Sequence, residues 1–227
     1  MTRTQWAAIT AVVLALLFAG TATVASAGRD DGPGAPRTPS ADSADAGFAR
    51  DMAVHHQQAV EMSFIVRDST DDEEVRRLAY DIANTQANQR GMLLGWLDLW
   101  GLPKAEADQE PMAWMRMPMD MGSDDGAAMD HGHAEHQARD GSLMPGMATK
   151  TELERLRQAR GKQAEILYLQ LMTDHHKGGV SMAKGCAEMC AVGTEKDLAE
   201  GMAAAQQSEL NLMADLLKAR GAKPRTG

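Results

Sequence analysis

Residues 52–62 read Met-Ala-Val-His-His-Gln-Gln-Ala-Val-Glu-Met, and residues 172–182 read Met-Thr-Asp-His-His-Lys-Gly-Gly-Val-Ser-Met. The two stretches share Met-x-x-His-His-x-x-(Ala/Gly)-Val-x-Met at a constant offset of 120 residues, and they hold four of the seven histidines. The same offset carries Phe48 onto Tyr168, Gln86 onto Gln206, Gln89 onto Glu209, Met92 onto Leu212, Leu97 onto Leu217 and Gly101 onto Gly221, so a whole half of the chain is copied. Within the first copy Phe48, Met52, His55, Ala59, Met62 and Val66 follow at spacings of four and three, the seam of an amphipathic helix at about 45–68. Tyr168, Met172, His175, Gly179, Met182 and Cys186 repeat that seam in the second copy.

Working outward, Thr70-x-x-Glu73 is a capping-box signature for a second helix, whose seam runs Val75, Leu78, Ile82, Gln86, Gln89, Leu93, Trp96, Trp100. It stops at Gly101, with Pro103 beyond. Thr149-x-x-Glu152 predicts a third helix from near 150 to about 190, interrupted or tightly packed at Gly178-Gly179, and a fourth runs from about Thr194 to Arg220. Strand signals are essentially absent. Two helical hairpins joined by a long connection predict an all-α, ferritin-like four-helix bundle: a first repeat at 45–101, a Met/His-rich crossover at 102–148, and a second repeat at 149–220. The duplication predicts a pseudo-two-fold axis that brings the two His-His helices together. Residues 221–227 form a tail.

Upstream, residues 1–27 read as a secretory signal: Arg3, an apolar run from Ala7 to Ala19, and the small-residue site Ala25-Ser26-Ala27. An uncleaved membrane anchor is the alternative, and no cysteine near that site supports a lipid-modified one. Residues 28–44, rich in Gly, Pro, Asp and Ser, read as a disordered tether. The formal charge of −9 becomes −10 once Arg3 leaves, which disfavours nucleic acid or anionic lipid as partner and suits cations.

Imidazole binds Zn, Cu, Ni and Fe, whereas thioether sulfur is a soft ligand that selects Cu(I). Together they point to copper. Met52, His55 and Met62, and likewise Met172, His175 and Met182, share a helix face, while His56 and His176 lie about 100° around the cylinder. One histidine of each pair is therefore expected in the seam and the other at its rim. Methionine at helical spacing is ordinarily core filler, but four histidines in matched positions are not easily explained by packing. Gln86, Gln89, Gln206 and Glu209 stand in otherwise apolar seams, where an unpaired polar group costs on the order of 1–3 kcal/mol. The facing histidines are their expected partners, with Glu209 a candidate direct ligand and inter-helix register contacts the alternative.

The crossover adds Met115, Met117, Met119, Met121, Met144 and Met147 with His131, His133 and His136. With Met112 and Met129, residues 111–147 hold eight of the seventeen methionines in a segment rich in glycine and aspartate, a density that core packing does not predict. Metal capture is the expectation there. Cys186 and Cys190, the only cysteines, leave three readings open: a disulfide that export favours and helix geometry opposes, a soft-ligand pair, or buried bystanders.

With these residues in view, the chain resembles the ferritin-like domain-of-unknown-function family 305. The resemblance rests on Phe48…Met52-x-x-His55-His56-x-x-Ala59-x-x-Met62, on Met144-Pro145-Gly146-Met147, and on Leu171-Met172-x-x-His175-His176-x-x-Gly179-x-x-Met182-Ala183, and it covers about residues 45–220. It implies a four-helix bundle of the periplasm or cell envelope that binds copper through Met and His side chains and takes part in copper tolerance, without implying a reaction. Asp174, Gly178, Cys186 and Cys190 depart from the family's pattern.

The expected function is therefore non-enzymatic: sequestering, buffering or delivering Cu(I), with Cu(II) a second candidate, outside the cytoplasm, where copper-handling envelope proteins are the candidate partners. A di-iron oxidase or ferroxidase is the enzymatic rival, since related bundles host Glu-x-x-His sites, but no Glu-x-x-His includes the motif histidines here. A third class is an envelope interaction or stress domain in which metal sites only stabilise the fold. No Ser-His-Asp or Cys-His motif and no glycine-rich phosphate loop is present.

Overall fold

The computed structural model describes residues 38–116 and 139–225. Five helices order the described residues: α1 (Ala44–Arg67), α2 (Glu73–Trp100), α3 (Lys150–Gln158), α4 (Gly161–Met189) and α5 (Gly193–Ala219), with a 3-10 turn at Ala113–Arg116. No strand occurs among the described residues, apart from an isolated bridge between Arg139 and Ser142. α1 pairs with α2 and α4 with α5, and α1 lies against α4, which makes the ferritin-like bundle of two duplicated hairpins. The candidate leader lies outside the described residues. Among those described, no helix is long and apolar enough to cross a membrane.

Local chemistry fixes most of the boundaries. The Ser43 hydroxyl accepts from the Ala46 N–H to open α1. α2 ends where Gly101 turns left-handed at φ +68° and Leu102 N–H reaches back to Leu97 O at 2.9 Å. The Thr149–Glu152 capping box forms as expected and opens α3. The box expected at Thr70-x-x-Glu73 does not form. Asp72 caps α2 instead, accepting from Val75 N–H at 2.9 Å, while the Thr70 hydroxyl donates to Glu165 Oε1 across the bundle at 2.6 Å and accepts from Asp72 N–H at 3.1 Å. The single helix expected over 150–190 is two: Ala159 and Arg160 are extended, and Gly161 sends its N–H to Ser69 O at 2.7 Å. At Gly178-Gly179 α4 is continuous and closely packed. The tether expected over 28–44 is ordered in its last part, where Arg50 donates to Ala41 O at 2.9 Å.

Two apolar clusters fill the bundle. Met62, Val66, Val75, Ile82, Tyr168, Met172, Met213 and Leu217 form one; Phe48, Met52, Leu93, Leu97, Trp114, Met144, Met182 and Met202 form the other. Met52 thus meets the region of Met182 while Met62 meets that of Met172, the antiparallel crossing that the duplication predicts. His55-His56 and His175-His176 occupy the layer between the clusters. The ends of the crossover belong to the core, contrary to the reading of 111–147 as a segment outside it. Trp114 and Met144 are fully buried, and Met112, Met115 and Met147 pack on the second cluster. Asp51 holds this entry, its Oδ2 accepting from Met112 N–H at 2.7 Å and Trp114 Nε1–H at 3.0 Å.

Candidate metal centre

All four motif histidines are completely buried, so the expectation that one of each pair lies at a rim is corrected. The reason is that α2 and α5 cover the second face: His56 Nε2–H donates to Gln89 Oε1 at 2.9 Å, and His176 Nε2–H donates to Glu209 Oε2 at 2.7 Å. His55 and His175 face each other at the pseudo-axis, ring centroids 3.7 Å apart and planes tilted by 33°. His55 Nε2–H donates to Pro145 O at 3.3 Å and His175 Nε2–H to His55 O at 2.9 Å.

These bonds decide the chemistry of the layer. Each acceptor is an oxygen, so each Nε2 carries the proton and each Nδ1 carries the lone pair. All four Nδ1 atoms are buried and without a hydrogen-bond partner. Burial, with the neighbouring His175, holds His55 well below the ordinary imidazole range, and burial with His176 does the same to His175. Burial and the adjacent His55 bring His56 down to about 3. His55, His56 and His175 are therefore neutral ligands at ordinary pH. A metal-ligating histidine ordinarily anchors its other ring nitrogen on a carbonyl or carboxylate, which is the arrangement here.

The expectation for the seam amides holds in half. Gln89 and Glu209 meet their histidines, but Gln86 and Gln206 do not, and both of their buried amides lack any partner. Met52, Met62, Met172 and Met182 are fully buried one or two turns from the histidines and line the core on either side of the layer. Met115 and Met147 flank the second cluster, and Met144 lies inside it. Met117, Met119, Met121, His131, His133 and His136 lie outside the described residues. Cys186 and Cys190 are joined in a disulfide, with Cα atoms 4.8 Å apart. It forms because α4 stops at Met189 and Cys190 takes an extended conformation, which removes the helical splay that opposes the bond.

Gln58, which the sequence did not single out, builds the wall of the layer with Gly146 and Gly178. Gln58 clamps Ala148 through both amide atoms, at 2.9 and 2.6 Å, and so seats the Met144–Met147 turn over the histidines. A Cβ at Gly178 would overlap the Pro145 carbonyl, and one at Gly146, φ +79°, would overlap Asp174 O. The Met144-Pro145-Gly146-Met147 segment, with its proline and glycine, was the available signal. Gly178→Ala is expected to destabilise the protein by about 3 kcal/mol, since backbone on both sides blocks relief. Gly91→Ala, whose Cβ meets open space in α2, should stabilise by about 0.5–1 kcal/mol. Urea unfolding of the two variants checks the pair; equal midpoints would show that the turn is not seated on α4.

The model of the domain of unknown function DUF305 matches residues 45–217. Among solved structures, a DUF305 protein of Streptomyces coelicolor inferred to be secreted is 61% identical, with TM-score 0.70, and the match covers 83% of this chain and all (100%) of that one. A DUF305 fragment from Deinococcus radiodurans is 24% identical with TM-score 0.58 over 83% of this chain and 99% of that one. CopM, solved in Cu(I)-bound form, is 18% identical with TM-score 0.54 over 77% of this chain and 96% of that one, and it has also been solved with Cu(II) and with Ag. At the last two identities the likeness is one of fold. No curated protein matches the chain.

Proposed function

The chain belongs to the DUF305 family, and on that premise we propose that it is an exported, non-enzymatic copper-binding protein that sequesters, buffers or delivers copper outside the cytoplasm. The observation that carries the reading is the layer of four buried Nδ1 lone pairs, fixed in one tautomer by the four Nε2 bonds. Leaving four such atoms unpaired costs about 1–3 kcal/mol each, and an ion that accepts lone pairs offsets it. No three of these histidines gather their donor atoms on one point. Cu(I), a closed-shell ion satisfied by two donors, suits paired imidazoles flanked by thioethers better than Zn(II), which wants four ligands. The copper and silver forms of CopM support the same choice of cation.

A di-iron oxidase requires a set of bridging carboxylates, and among the described residues the carboxylate hydrogen-bonded to these histidines is Glu209, engaged by His176. Purified protein is titrated with Cu(I) anaerobically against a competing chelator, with Zn(II) and Fe(II) in parallel. Tight Cu(I) binding with weak Zn(II) and Fe(II) responses is expected; Fe(II) uptake with oxygen consumption would overturn the reading.

The crossover is the second expected sink, and its ends are structural, so its test must spare them. Replacing 117–138 by a Gly/Ser linker of equal length should lower the number of Cu(I) ions bound while leaving helical circular dichroism and the tightest class intact. Unchanged stoichiometry would remove the crossover from the copper-binding role.

A further inference from the structure

We propose that Cys186, Cys190 and Glu195 form a second metal site, specific for a thiophilic ion, that the disulfide closes and reduction opens. The site is separate from the histidine layer and stands or falls independently of it. The donor atoms of these three residues all lie within 4.8 Å of one another, the one such convergence of His, Cys, Asp or Glu among the described residues. All three side chains are buried, Glu195 completely, and neither Glu195 oxygen accepts a hydrogen bond. The buried Glu195 carboxyl faces the two sulfurs beside the Asp45 carboxyl, and among the described residues no cation neutralises the pair, a costly arrangement unless it has a further use.

The pseudo-symmetry supplies an internal control. At the opposite end of the bundle the equivalent positions are Thr70 for Cys190, Val75 for Glu195 and Glu165 for Asp45. There Glu165 is neutralised: Arg220 Nε donates to it at 2.6 Å and Thr70 Oγ1 at 2.6 Å. At the cysteine end Trp100 stands where the other end has Arg220, and no described Lys or Arg pairs with Asp45 or Glu195. Asp45 Oδ1 spends itself on the N–H groups of Ala191 and Val192, at 2.9 and 2.7 Å. One end is thus an ordinary salt bridge, and the other is an acidic pocket with sulfur and no cation. The surrounding cluster is also the sulfur-rich one, with Met52, Met112, Met115, Met144, Met147, Met182, Met189 and Met202.

Opening the site requires two electrons and two protons for the disulfide, supplied by a dithiol reductant that is itself oxidised to a disulfide. Metal binding then displaces the two thiol protons, and that of Glu195 where it is protonated, to solvent. Cys190 lies past the end of α4, in the three-residue connection to α5, so its sulfur can part from Cys186 without unwinding the helix.

The test uses Cd(II), whose thiolate complexes absorb in the near ultraviolet and whose imidazole complexes do not. The protein is reduced with a phosphine, freed of it anaerobically, and titrated beside the oxidised form. The reduced protein should gain one equivalent of Cd(II) with the charge-transfer band, and the oxidised form and Cys186→Ser/Cys190→Ser should show none. Glu195→Gln should weaken that equivalent at least tenfold, and His55→Ala/His175→Ala should leave it unchanged. No band in reduced protein that keeps its helical circular dichroism, or equal affinity in Glu195→Gln, would overturn the site. Loss of the helices on reduction would show the disulfide to be a structural staple and overturn it equally.

Discussion

Replacing both His55 and His175 by alanine is expected to abolish the tightest class of Cu(I) binding, raising its Kd at least about 100-fold while the helices remain. The two rings are the pair that meet on the pseudo-axis at 3.7 Å, and their Nε2 atoms are held by backbone carbonyls that no other side chain can replace. Loss of both removes the two central Nδ1 donors. Glu209→Gln should cost less, about 10-fold, because it converts the second half to the amide that the first half already uses at Gln89 and removes only the charge that strengthens His176 as a donor. Competition titration of the three proteins gives the order directly. Tight binding retained in the double variant would rule the layer out as the copper site.

The second large effect is on acid stability. An unfolded imidazole takes a proton near pH 6.5, whereas buried His55, His56 and His175 resist it until far lower, His56 to about 3. Between those values the unfolded chain binds more protons, so stability falls as pH falls, by up to about 1.4 kcal/mol per pH unit for each group. His56 alone contributes about 3 kcal/mol over two pH units, and His55 and His175 act in the same direction, a large share of the stability of an ordinary domain. Metal-free protein should therefore lose its helices on acidification between about pH 6 and 4. Bound Cu(I) occupies the Nδ1 lone pairs and should move that midpoint to lower pH. Circular dichroism against pH with and without Cu(I) measures both; an unfolding free energy flat from pH 7.5 to 4.5 would contradict the account.

Legibility in the sequence followed the physical range of each signal. The duplicated His-His motif and the four-three spacing announced the helices, their pairing and the pseudo-axis, because helical periodicity and a repeat offset are written locally. The capping box at Thr149 was legible for the same reason, and the one at Thr70 misled because that hydroxyl donates to Glu165, 95 residues away, and accepts from Asp72 N–H in place of the N–H a capping box would use. The rim position of His56 and His176 was wrong for a related reason. A helical wheel knows one helix, and α2 and α5 supply the cover that buries the second histidine.

By itself the sequence determined an all-helical, duplicated chain with four matched histidines, an excess of methionine, and membership of a family. Its periodicity and composition are properties of neighbours along the chain. Tertiary structure alone decided which ring nitrogen of each histidine is free, that the Met144–Met147 turn closes the layer through Gln58 and Gly178, and that Cys186, Cys190 and Glu195 converge. Those outcomes depend on acceptors and steric limits contributed by residues distant in sequence, and only packing brings them within hydrogen-bonding range.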